Sequence, residues 1–143
     1  MVRLVLFSSS AVEFCAQFSI DRFKLHLRPK TLPASHLNVH SLPPLPCGKR
    51  VVDVFGDFLF YLYTCTRTYV EEMIPSGKVF WDTAVNTANI EFVLTHPNGW
   101  EGAQQAQMRE AAIHAGLIDD IPSARARVRF VTEGEVCAVV QEL

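Results

Sequence analysis

The stretch FVLTHPNGWEGAQQAQMREAA, residues 92–112, decides the fold. An apolar run enters His96-Pro97-Asn98-Gly99-Trp100, and a helical pattern leaves it. Upstream, IEFVLTH (residues 90–96) alternates too little for a sheet with one wet face. It reads as a strand buried on both faces, the habit of parallel sheets. Downstream, WEGAQQAQMREAAIHAG (100–116) reads as a helix. Asn98 stands at the N-cap position with Glu101 three residues on, the spacing of a capping box. Gly116 fits a left-handed C-terminal cap, with Leu117 folding back onto the last turn. Trp100, Met108, Ala111, Ala112 and Ala115 form the inner stripe, and its alanines let the helix lie close to a sheet.

Working outward, ARVRFVTEG (126–134) supplies a second buried strand at Val128–Val131. Thr132 then caps and Glu135 reaches back, starting a last helix, EVCAVVQEL. Strand, helix and strand in close succession make a right-handed crossover and therefore parallel pairing. The fold class is α/β, with a βαβα unit over residues 89–143. Towards the N-terminus lies the longest helix, residues 49–73, with Val51, Val54, Phe55, Phe58, Leu62, Cys65, Tyr69 and Met73 at helical spacing. It is apolar around much of its girth through FLFYLY, so it calls for cover on more than one side. Pro75-Ser76-Gly77 ends it. Asp53 and Asp57, one turn apart, are either an acid–base pair or the wet flank of the helix.

The remaining segments carry weaker patterns. RFKLHLRPK (22–30) alternates Phe23, Leu25 and Leu27 against Lys24, His26 and Arg28, the pattern of a half-buried strand stopped by Pro29. Its basic face can meet an anion or simply be solvated. Residues 31–48 form a proline-rich loop. His36 and His40 are four apart, but the prolines argue against a helix and no third ligand is near. Residues 1–22 are poorly defined, with a short strand compatible with residues 3–7. The globular lobe is therefore expected over residues 23–143.

Composition narrows the function classes. The chain has 143 residues, 13 Lys+Arg against 15 Asp+Glu, 49% hydrophobic and 20% charged residues. One modest domain follows. The charge balance lacks the basic footprint of a nucleic-acid binder. No apolar run approaches a membrane span, and LVLF is too short for a signal sequence. Cys15, Cys47, Cys65 and Cys137 form no CxxC pair, so free, mostly buried thiols in a reducing compartment, the cytoplasm, are expected. The apolar excess either serves compact folding or leaves greasy faces for a partner or for the rest of a longer chain.

Candidate chemistry gathers at the strand ends. In open α/β sheets ligands sit at the C-terminal edge of the strands. Here one strand ends in His96-Pro97-Asn98-Gly99 and the other in Thr132-Glu133-Gly134. Parallel neighbours bring Pro97 and Glu133 together. A carboxylate there can hold a metal-bound water or orient an attacking one, and helix N-termini favour anions. The alternative is that Glu133 only joins a helix cap. No Gly-x-Ser-x-Gly elbow and no supported Cys–His arrangement points to another hydrolase.

FVLTHPNGWEGAQQAQMREAAIHAGL followed by RVRFVTEGE resembles the ATPase region of the 70-kilodalton heat-shock chaperone family, and is most similar to a divergent branch common in fungi. Pro97 falls on that family's strand-end proline, Trp100 on its aromatic and Gln104 on its helix glutamine. Ala115-Gly116-Leu117 matches its Ala-Gly-Leu, and Glu133 its Asn-Glu-Pro glutamate. The resemblance covers about residues 22–138. It implies a partial actin-like (ribonuclease H-like) ATPase lobe, with ATP and Mg2+ as cofactors. Pro97 is implied to relay nucleotide state, Glu133 to sit by the magnesium-bound phosphates, and Asn98 and Gly99 to form the turn at the helix N-terminus. Gly134 and Glu135 depart from the family pattern, and no Asp-x-Gly-Thr phosphate hairpin occurs in the chain. The expectation is a fragment of a chaperone-type ATPase domain that cannot hydrolyse ATP alone. The alternatives are an interaction module, docking onto itself or a full-length relative through an exposed sheet edge, and a gene remnant.

Overall fold

The computed structural model describes residues 2–6, 23–29, 42–85, 90–100, 102–132 and 135. Strand β1 (Val2–Leu6) is followed by a 3-10 helix at Phe23–Leu27, then by α1 (Val51–Met73) and α2 (Gly77–Ala84). Strand β2 (Ile90–His96) leads through α3 (Ala103–His114) and the short α4 (Pro122–Arg125) to β3 (Val128–Thr132). The described strands form one parallel sheet in the order β1-β2-β3. The expected α/β class with a parallel βαβ unit is therefore present.

The register is explicit. Val2 stands beside Ile90 and Leu6 beside Leu94, while Phe92 pairs with Val128 and His96 with Thr132. All seven β2 residues are buried, as a central parallel strand requires. Ile90, Phe92 and Leu94 join one hydrophobic core with Val52, Phe55 and Leu59 of α1 and Met108, Ala111 and Ala112 of α3. Both crossovers step the same way across the sheet. The right-handed rule then puts α1 and α3 on one face, where they pack on each other. Glu91, Val93 and Thr95 alternate onto the opposite face and are buried too.

Helix α3 ends as its sequence requires. Gly116 takes φ 68°, its N–H bonds Ile113 O at 2.9 Å, and Leu117 N–H bonds Ala112 O at 3.0 Å. These are the two bonds of a Schellman motif, and buried Leu117 closes it. The start of α3 differs from the expectation. Its N-cap is Gly102, at φ 52° with no side-chain cap bond, and not Asn98. Asn98 sits instead in a turn closed by Trp100 N–H on Pro97 O at 3.3 Å, with Gly99 at φ 81°. The two left-handed glycines, Gly99 and Gly102, carry Trp100 into the core before the helix begins, out of reach of an Asn98 cap.

Helix α1 corrects a second expectation. Val52, Val54, Phe55 and Leu59 are buried, and Phe58, Leu62, Tyr63 and Val70 pack partly against the core. Beyond Tyr63 the stripe loses its cover: Cys65 is exposed, Tyr69 is 62% exposed and Met73 65%. The helix runs past the body it packs on. Gly56 marks its closest approach to α3, since a Cβ there would meet Ala111 O at 3.0 Å and His114 Cδ2 at 2.5 Å. Past Pro75 the chain reverses tightly. A Cβ on Gly77 would lie 1.8 Å from Val70 O, and Ser76 takes a left-handed φ of 58°. Helix α2, unread in the sequence, then lays Trp81 against Tyr63 with ring centres 5.5 Å apart, and Tyr63 lies 6.4 Å from Phe92.

The alternating segment at residues 23–27 is a 3-10 helix and not a strand. A strand needs a neighbour for its backbone groups. Here Phe23 docks on α1 instead, its ring 5.7 Å from Phe55 and 5.4 Å from Phe58. The cysteine expectation holds in part for the residues described: Cys47 and Cys65 are free thiols, but both are exposed and not buried. Cys15, Cys137, His36 and His40 lie outside the described residues. Among the described residues no helix is long and apolar enough to cross a membrane.

Candidate functional site

The C-terminal edge of the sheet is built by the register. Because His96 pairs with Thr132, β2 and β3 end side by side. Pro97, Asn98 and Gly99 leave β2 at that edge, with Asn98 and Gly99 exposed. Glu133, next along the chain from Thr132, lies outside the described residues, as does Glu101.

His96 is the buried polar group of this edge, and the sequence reading gave it no role here. Its Nδ1 lies 2.8 Å from Pro97 O, and its Nε2 lies 3.3 Å from Gln105 Nε2. An imidazole donating from Nδ1 to the carbonyl and accepting at Nε2 from the amide satisfies both contacts. The ring also packs 6.0 Å from Phe130, over which Arg109 sits at 4.5 Å. Pro97 is therefore held through its carbonyl by a histidine that α3 holds in turn. The helix glutamine making that contact is Gln105, next to the Gln104 singled out by resemblance. A glutamine in the first turn of the helix that follows the strand-ending histidine was the available signal.

Lys24 closes one side. Its Nζ donates to Thr95 O at 3.0 Å and lies 5.8 Å from the centre of the Trp100 ring, within cation–π range. Lys24 and His26, the first two residues of the predicted basic face, are thus engaged within the protein, His26 through Nε2 and Pro43 O at 3.0 Å. On the other side Glu135 reaches back as its spacing predicts. Thr132 N–H and Thr132 Oγ1 both donate to its Oε2, at 2.9 Å and 2.8 Å. The backbone donor and then the hydroxyl, with a smaller pull from His96, hold the Glu135 carboxyl below the usual glutamate range.

The carboxylate pair on α1 is structural. Asp53 Oδ2 accepts the Arg50 N–H at 2.9 Å, and Asp53 Oδ1 pairs with Arg50 Nη2 at 2.7 Å. The guanidinium and the backbone donor hold the Asp53 carboxyl below its ordinary value. Asp57 pairs with Lys49 and stands 3.6 Å from His114 Nε2. Arg50 reaches Glu110 at 2.9 Å, so these charges tie α1 to α3 and are no acid–base dyad. The other face of the sheet carries Glu91, 3.6 Å from Arg129 Nη1.

The fit to a magnesium nucleotide can be tested on these atoms. His96, Thr132, Glu135 and Lys24 all spend polar atoms on one another or on the backbone. No group of three or more His, Cys, Asp or Glu able to hold a metal ion occurs among the described residues. Taken alone, these side chains do not make a phosphate cradle. No family model, curated protein or solved structure matches this chain.

Proposed function

We propose that this chain is part of an actin-like ATPase lobe of the 70-kilodalton heat-shock type, unable to hydrolyse ATP by itself. The observation that carries the reading is the parallel β2–β3 pair, whose ends lie in register at His96 and Thr132. That geometry sets the Pro97 turn at the edge where α/β sheets take ligands. In this reading Pro97 relays nucleotide state, its carbonyl steadied by His96, and Glu133 is the carboxylate beside the magnesium-bound phosphates. The exposed Asn98–Gly99 turn lines the same edge. The missing walls would carry the phosphate-wrapping backbone amides, since no Asp-x-Gly-Thr hairpin occurs in the sequence. The proposed setting is the cytoplasm.

Isothermal titration with ATP, with and without magnesium, tests the reading. It expects no saturable, magnesium-dependent binding tighter than about 1 mM. Micromolar, magnesium-dependent binding would contradict an incomplete cleft. Sequencing the transcript tests the kinship. A frame that adds an Asp-x-Gly-Thr hairpin upstream and a second lobe downstream supports it. Stop codons bounding this frame on both sides favour the second reading, a stand-alone interaction module. One observation favours that module: the apolar residues left exposed where α1 meets α2.

A further inference from the structure

We infer that Asn98 is a covalent modification site: it deamidates through a succinimide closed with the Gly99 nitrogen, and so puts a negative charge on the edge where β2 ends. Both residues are exposed. Among the described residues, neither the Asn98 side chain nor the Gly99 N–H has a hydrogen-bond partner. The sequence sets Asn98 apart from the other asparagines. Asn38, Asn86 and Asn89 are followed by Val39, Thr87 and Ile90, whose branched Cβ crowds the attacking nitrogen. Glycine has no Cβ to crowd it. No Asp-Gly pair, which would close the same ring, occurs in the chain.

The reaction balances with water as its only co-reactant. The Gly99 nitrogen loses its proton and bonds to Asn98 Cγ. The Cγ–Nδ2 bond breaks, and the amide nitrogen leaves as ammonia with a proton taken back from solvent. Water then adds to one of the two ring carbonyls. Opening at Cγ leaves an ordinary aspartyl side chain. Opening at the main-chain carbonyl leaves isoaspartate, with the backbone running through Cβ and Cγ. In both products an amide has become a carboxylic acid, which ionises at neutral pH.

The turn sets the pace. Trp100 N–H on Pro97 O at 3.3 Å closes it, and Gly99 at φ 81° after a negative φ at Asn98 makes it type II. Such a turn holds the Asn98 ψ near about +120°, which turns the Gly99 nitrogen away from the Asn98 side chain. The ring closes only after that bond rotates. A single long hydrogen bond opposes the rotation, and an exposed turn of this kind opens at little cost. The consequence falls on the strand-end edge. There β2 and β3 end side by side, and the Glu135 carboxylate already bonds Thr132. A second carboxylate at the same edge makes it less hospitable to anions. The chemistry stands whether or not that edge belongs to a nucleotide cleft.

Tandem mass spectrometry of the folded chain, over a time course at mildly alkaline pH, is the test. A free peptide with the sequence of residues 95–101 is the reference. Asn98 should convert ahead of every other asparagine, at a rate no more than about a hundredfold below the peptide's. The product should be labelled by a protein L-isoaspartate methyltransferase, and isoelectric focusing should show an acidic band as the formal charge moves from −2 to −3. Asn98→Gln, which would have to close a larger ring, should stay unlabelled and keep one band, with unaltered far-ultraviolet dichroism. Conversion that appears first at another asparagine overturns the proposal. So does an Asn98 rate more than about a hundredfold below the peptide's, or labelling that survives in Asn98→Gln.

Discussion

The two halves of α1 carry one apolar stripe and meet opposite fates. From Val52 to Leu59 the helix lies on β2 and α3, and Val52, Val54, Phe55 and Leu59 are almost wholly removed from water. From Cys65 to Met73 the same apolar spacing continues over open ground. The difference lies in what faces each half and not in the helix. The first half meets Met108, Ala111 and Ala112 across the Gly56 contact. The second keeps Val70 partly packed against the core and meets α2 at the Gly77 corner. An apolar stripe marks where a helix is able to pack, and the neighbouring elements decide where it does so.

Substitutions on the two sides should separate them. The largest loss is expected for Phe92→Ala, which empties the centre of the packed region and should cost about 3–5 kcal/mol in denaturant unfolding. Gly77→Ala comes next, at about 3 kcal/mol, because the new methyl meets the Val70 carbonyl and the backbone itself must move. A loss confined to Trp81 fluorescence would show that the corner opens separately from the body. Gly56→Ala should cost about 1–2 kcal/mol. The gain in helix propensity, up to about 1 kcal/mol, opposes the clash with Ala111 O and the His114 ring. Met73→Ala should change stability by less than about 0.5 kcal/mol. A loss of several kcal/mol there would break the comparison.

The smallest effect concerns pH. The Glu135 carboxyl is held below its ordinary value by the Thr132 backbone donor and hydroxyl. Its contribution is therefore present above the unfolded glutamate pKa, about 4.3. It is lost as pH falls through the lower folded value. Carboxyl carbon shifts of Glu135 should titrate below about 4.3, and Thr132→Val should return the midpoint toward that value. An unshifted midpoint in the parent protein would remove the contact from the account.

Much of the sheet was legible in the sequence because its signals were local and redundant. IEFVLTH alternates too little for one wet face and is buried on both. Gly116 and Leu117 sit where a Schellman end needs them. The spacing of β2 and β3 allowed only a crossover, and they pair in parallel. The failures share a cause: each needed knowledge of a neighbour. Residues 23–27 alternate like a strand, but Phe23 found α1 before it found a sheet. Asn98 and Glu101 have the spacing of a cap, yet two left-handed glycines and the pull of Trp100 into the core start the helix later. At the candidate edge the Pro97 turn and the Thr132–Glu135 contact were readable. The His96–Gln105 contact depends on how α3 is rotated over the strand, which periodicity does not fix.

The candidate edge exists only if β2 and β3 run the same way with His96 opposite Thr132. Backbone NOEs in a labelled sample test this directly. The account predicts cross-strand contacts joining Phe92 to Val128 and Leu94 to Phe130, advancing together along both strands. Contacts that advance along one strand while retreating along the other, joining Ile90 to Thr132, would contradict it.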